Sequence, residues 1–223
     1  FLCQHHLHEV GFQTSNVDGK VQILFLRGGV ADESHIKLAH AGVVVVHLRN
    51  DDLVDELEVD AGGKALLRAE QDALLLEVWQ ACNKSGHELL LEVILPENGP
   101  DKDERHYHTM LEHFYQLGIK PDWWKLPPLS SASWQQITAL IEREDPWSRG
   151  ILILGLDAPS DKLRAGFAEA AAHPMIKGFA VGRTIFGQPS RRWMQGELSD
   201  EALIEEVKRN YLTLIGYWRE ARR

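Results

Sequence analysis

From residue 65 onward the chain repeats one pattern: apolar residues at helical spacing, a break containing Gly or Pro, then a short run that is apolar throughout. ALLRAEQDALLLEVWQACNKSG has the helical spacing and stops at Gly86, and HELLLEVILP follows with the uniform apolarity of a buried strand. ERHYHTMLEHFYQLG predicts a second helix closed by Gly118, with PDWWKL as a short strand after it. SASWQQITALIERED predicts a third helix capped by Ser131 or Ser133, because a hydroxyl at that end accepts from otherwise orphaned backbone amides. RGILILGLD is the next strand, SDKLRAGFAEAAAHP the next helix, and MIKGFAVGRTIF a strand running into a loop. DEALIEEVKRNYLTLIGYWREARR has the two-faced spacing of a long closing helix.

Strands apolar at nearly every position suit a parallel sheet covered on both faces, and their alternation with helices predicts an α/β fold built from βαβ crossovers. No G-x-G-x-x-G follows an early strand, which removes the main signature of a dinucleotide-binding open sheet. Polar residues instead stand at or just after strand ends: Glu92, Lys125, Asp157 and Arg183. Barrel active sites lie at that carboxyl-end face, so the pattern favours a (β/α)8 TIM-type barrel. The first 60 residues fit less well. VQILFLRGG and GVVVVHLRNDD read as strands with DESHIKLAHAG as a short helix between them, whereas FLCQHHLHEVGFQTSNVDGK has no clear period. Strands are expected at 21–27, 43–48, 88–95, 121–126, 150–155 and 175–181, fewer than the eight of a closed barrel. The expectation is a single barrel domain over 1–223, atypical over 1–60 and incomplete at its amino end.

Composition narrows the function classes. With 223 residues, 44% hydrophobic and 26% charged, the chain can bury a sizeable core. A net charge of -9 disfavours nucleic acid or an anionic membrane as the main partner, while leaving room for one small anionic ligand. No apolar run is long enough to span a bilayer, and the amino end has no basic stretch followed by an apolar core. Cys3 and Cys82 are too few for a disulfide framework, which points to a reducing cytoplasmic compartment with Cys82 as a small buried apolar residue.

Lys125 is the sharpest chemical candidate. Set among Trp123, Trp124 and Leu126 at a strand end, its ammonium would lose hydration, so that a neutral amine becomes available to attack a carbonyl. The alternative is a lysine pointing into solvent. Glu92, inside LLLEVILP one strand earlier, is costly to bury unless paired, and a lysine from the neighbouring strand is a natural partner. It would then orient Lys125 or move protons, or else form an ion pair with no catalytic role. KGFAVGRTIFGQP offers Gly182 for close backbone approach to an anion and Arg183 as a bidentate fork, and LGLDAPS, with Gly155 and Asp157, lies one strand before it. Phosphate sites of barrels commonly use the loops after the last two strands, although Gly178, Gly182 and Gly187 also read as simple turn residues. His5, His6 and His8 cluster near the start and His106, His108 and His113 stud one helix, but no zinc-ligand spacing appears and no metal is expected. Trp134, Trp147, Trp193 and Trp218 read as packing groups.

Taken in order and spacing, GHELLLEVILP, GIKPDWWKLPPLS, ILGLDAP and KGFAVGRTIFG resemble the C-terminal aldolase domain of the bacterial inositol-catabolism protein in which it is fused to 5-dehydro-2-deoxygluconokinase. The resemblance runs from about residue 65 to the end, and is more distant to class I tagatose-bisphosphate aldolases, which are (β/α)8 barrels. It implies a cytoplasmic lyase that cleaves 2-deoxy-5-keto-gluconate 6-phosphate into dihydroxyacetone phosphate and malonate semialdehyde through an imine, without a cofactor. By position it makes Lys125 the Schiff-base lysine, Glu92 the acid–base group, and Arg183 with Gly182 part of the phosphate site. A fused sugar kinase is an implied partner, and a homo-oligomer is left open by the amphipathic last helix, whose Tyr211, Leu214 and Trp218 on related turns suit either the barrel or a neighbouring copy. In the related domains the strand reading GVVVVHLRNDD carries a lysine near its start; here Val43 to Val46 stand there, so a secondary cation of the site is expected to be missing. Residues 1–20 do not match the family's opening strand with its acidic residue. Two other readings follow: a phosphosugar isomerase or epimerase with Glu92 as base, and a barrel without catalysis that serves as structural partner of the kinase.

Overall fold

The computed structural model describes residues 14–17, 21–26, 43–49, 64–94, 103–155 and 157–223, and among them strand and helix change over where the hydrophobic period changes. Three strands come first: β1 (Thr14–Val17), β2 (Val21–Leu26) and β3 (Val43–Arg49). Then follow α1 (Lys64–Ser85), β4 (Glu88–Ile94), α2 (Arg105–Gln116), β5 (Trp123–Leu126) and α3 (Ser131–Glu144). The order closes with β6 (Gly150–Leu154), α4 (Ser160–Ala170), β7 (Ile176–Ala180), α5 (Arg183–Met194) and α6 (Asp200–Ala221).

All six expected strands are present, and the protein is a mixed α/β protein with parallel strand pairing. Three details differ from the sequence reading. β1 lies in a stretch without period, and β1 with β2 and β2 with β3 pair antiparallel, the three residues between β1 and β2 being enough for a hairpin return. Parallel pairing begins at β3 with β4 and recurs at β6 with β7. α3 is capped by neither Ser131 nor Ser133: the Ser130 hydroxyl accepts from the Ser133 amide at 3.3 Å, and the Ser131 amide is taken by Glu169 at 3.2 Å. Finally, MIKGFAVGRTIF does not run into a loop, since α5 starts at Arg183 and continues through Gly187 and Pro189. The helix expected in DESHIKLAHAG lies outside the described residues, as do Cys3, His5, His6 and His8.

The chain divides into two compact units, Cys3–Trp124 with Leu140–Arg149, and Lys125–Ala139 with Gly150–Arg223. In the first, β4 is buried along its length, and α2 turns Tyr107, Met110, Leu111, Phe114 and Tyr115 inward at spacings of three and four. Phe114 stacks on Trp124 at 6.2 Å, and the Trp124 indole donates to the Tyr115 hydroxyl at 2.9 Å, so a fully buried ring keeps its polar atom satisfied. The starts of β4 and β5 are tied by Asp122, which accepts from the Leu89 amide at 2.9 Å, and by Glu88, which accepts from the Trp123 indole at 2.7 Å and pairs with Arg149 at 2.9 Å. Cys82 is buried as expected, and burial pushes its thiol up to about 11.

In the second unit β6 is almost wholly buried, and β7 pairs with it in parallel. Gly150 opens β6 at φ +129°, and a side chain there would lie 2.4 Å from the Met175 carbonyl oxygen, so only glycine fits. Phe167 of α4 stacks on Phe179 of β7 and meets Trp218 of α6 edge-on. Trp134 is fully buried in its packing role, whereas Trp147, in the first unit, is 89% exposed, contrary to its sequence reading.

Candidate functional site

β5 explains how a lysine comes to stand in so apolar a stretch. A strand turns successive side chains to opposite faces, and here Trp124 and Leu126 are fully buried on one face while Trp123 and Lys125 share the other, partly open face. Lys125 is therefore half-buried rather than enclosed in the core. Burial lowers that amine from its ordinary range to about 8. The reading of a lysine directed wholly into solvent does not hold. On β4 the same alternation sets Glu88, Leu90 and Glu92 on one face, and Glu92 is only 4% exposed. Val43 to Val46 fill the first four positions of β3, so no lysine stands near the start of that strand.

The other four candidates come together in the second unit. Because β6 and β7 run parallel, both open their carboxyl ends on one side, and the loops that follow meet there. Gly155 follows β6 at such close range that a Cβ on it would sit 2.7 Å from Val181 and 3.2 Å from the Thr184 hydroxyl. The Thr184 hydroxyl donates to the Ala158 carbonyl at 3.0 Å and locks the two loops together. Asp157 sits between them at φ +61°, a left-handed conformation that Asp tolerates better than most residues. Gly182 caps α5 and Arg183 begins it, both exposed. The first amides of a helix have no acceptor within it, so this end presents donors and a partial positive charge.

Gly187 is a buried residue of α5 rather than a turn. A Cβ there would lie 3.6 Å from Arg183 Cβ, 3.7 Å from Arg191 Nη1 and 3.8 Å from Asp157 Oδ1, ordinary contact distances that place the Asp157 carboxylate and both arginines around this point of the helix. Thr184 and Arg191 are not among the residues the sequence nominates, because Gly187 and Pro189 read as loop residues where α5 forms. The legible signal was the four-residue spacing of Arg183, Gly187 and Arg191. Among the histidines, His113 contacts Asp72 through Nε2 at 2.9 Å and fastens α2 to α1.

Fold and site together define a mixed α/β protein with parallel strands, a half-buried strand-end lysine, and an arginine-bearing helix start where two loops converge. The chain belongs to a family of uncharacterized proteins conserved in bacteria, DUF2090, whose pattern matches residues 57–222. No curated protein matches it. Among the described residues no helix is long and apolar enough to cross a membrane.

Proposed function

We propose that this protein is a class I aldolase acting on a phosphorylated keto sugar acid, with Lys125 as the Schiff-base residue. The observation that carries the reading is an amine held by burial at about 8, so that a useful fraction is neutral near physiological pH. The neutral amine attacks the substrate ketone, and the resulting carbinolamine loses water to leave a protonated imine. That imine accepts the electron pair of the carbon–carbon bond as it breaks, while a base removes the proton from the hydroxyl that becomes the aldehyde. The enamine then takes up a proton, and water releases the ketone product and the free lysine. The sequence resemblance assigns the proton transfer to Glu92.

Arg183 and the amino end of α5 suit the phosphate, since both offer positive charge at an exposed rim. Asp157 repels a phosphate dianion and fits a substrate hydroxyl instead, with Gly155 and Gly182 allowing the backbone to approach. The resemblance makes the substrate 2-deoxy-5-keto-gluconate 6-phosphate, within a (β/α)8 barrel, in the cytoplasm, and in company with a sugar kinase.

Borohydride reduction in the presence of dihydroxyacetone phosphate tests this directly. Mass spectrometry is expected to find one covalent adduct, on Lys125, and none in Lys125→Met. No adduct on folded protein, or an adduct on another lysine, rules the imine out; isomerase activity that survives Lys125→Met and is lost in Glu92→Gln replaces it with an isomerase.

A further inference from the structure

α6 turns Leu203 and Leu214 into its own unit, and a second apolar stripe lies elsewhere on its circumference. Ile204, Lys208, Tyr211 and Ile215 recur at spacings of four, three and four, with Leu212 beside them, which places all five along one side of the helix. Ile204, Tyr211 and Leu212 are 48%, 49% and 53% exposed. Tyr211 meets Phe179 edge-on at one side of its ring and leaves the rest open. Three apolar residues and the stem of Lys208 at coiled-coil spacing on an open helix face mark a seam for another helix.

Beside the stripe, Glu201 stands in the first turn of α6 and Arg219 in its last, whereas Asp200 accepts from the Trp193 indole, Glu205 pairs with Lys208, and Arg222 donates to the Ile176 carbonyl, all within the same unit. Glu201 and Arg219 are five full turns apart, so both project along the same edge of the seam. A helix laid parallel would set like charges together. A copy laid antiparallel sets each acidic end against a basic one, and does so twice about a two-fold axis.

We propose that the protein forms a homodimer in which α6 packs antiparallel against α6 of a second copy. Ile204 then faces the partner's Ile215, Lys208 lies against the ring of the partner's Tyr211, and Glu201 pairs with the partner's Arg219. The 22-residue helix is about 33 Å long at the ordinary helical rise, which leaves room for the seam and both charged ends.

Sedimentation velocity of the purified protein is expected to give twice the chain mass. Ile204→Asp combined with Leu212→Asp should sediment as a monomer while keeping the helical circular dichroism of the parent. Glu201→Arg alone and Arg219→Glu alone should each weaken dimerisation about tenfold, through two repeated like-charge contacts. The two charge changes combined should restore the dimer, because opposite signs again face each other. A parent protein that is monomeric overturns the proposal and leaves the stripe to a different partner. A dimer that survives the two aspartates, or a charge swap that fails to rescue, overturns it as well.

Discussion

At the residue scale, the stretch PDWWKL places a hydrated cation where only its head can stay wet. Two of its neighbours belong to the core, and alternation along β5 gives Lys125 the other face. The sign of the resulting pH dependence follows from the lowered amine. The folded protein releases the proton near 8 while the unfolded chain holds it to about 10.5. Folding is therefore penalised in full below about 8, and the penalty fades as pH rises to 10.5. Lys125→Met should raise the thermal midpoint below pH 8, and the difference from the parent should shrink as pH climbs through that window. In the same preparation the rate of borohydride trapping should rise with pH and level off above about 8. Equal midpoints at every pH would mean that the amine is as hydrated in the folded protein as in the unfolded chain. That this lysine was a candidate could be read from residue types alone, because its flanking indoles and prolines contradict an ordinary surface position. How far its amine is buried could not be read, since that depends on what covers the open face of β5.

At the scale of elements, α5 shows why a helix was mistaken for a loop. RTIFGQPSRRWM contains both residues that most disfavour a helix interior, and Pro189 has no amide to donate to the carbonyl four residues back. That carbonyl belongs to Ile185, and the Asn210 side chain of α6 donates to it at 2.8 Å. A residue on another helix thus supplies the bond that proline removes, while Arg192 on α5 holds Glu206 of α6 through both carboxylate oxygens at 2.9 and 3.0 Å. Asn210→Ala should cost about 1–3 kcal/mol by leaving a buried carbonyl unsatisfied. In the Pro189→Ala background, where the helix can satisfy that carbonyl itself, the same change should cost much less. A double-mutant cycle by denaturant unfolding measures the difference, and additive costs would show that Asn210 does not act through the proline. Where nothing opposed the period the local signals held, apart from the shifted cap of α3: Gly86 and Gly118 end α1 and α2 at positive φ, and Ser199 caps α6 by accepting from Ala202.

At the scale of the molecule, burial is uneven among strands that look alike in sequence. β4 and β6 are buried at nearly every position, whereas β7 is buried only at Ile176. Hydrogen exchange followed by mass spectrometry should find the amides of β4 and β6 the slowest, and those of β7 markedly faster through local opening. Uniform protection across the three would contradict the burial pattern. The candidate anion rim stands at the carboxyl end of β7, so this test also reads how firmly its platform is held.

Periodicity and composition determined most elements from α1 onward and the parallel character of the strands, because helical and strand spacings are local and core residues must be apolar in either. They also nominated Lys125, Glu92, Asp157 and Arg183 as polar groups at strand ends, with Gly155 and Gly182 as loop glycines beside the last two. Only tertiary contacts decided that β1 exists, that α5 runs through a proline, and that Thr184 and Arg191 join Asp157 beside Gly187. Each of these depends on a partner distant in the chain, a paired strand, a donated hydrogen bond or a loop brought alongside, and a free energy shared between distant residues leaves no mark on local spacing.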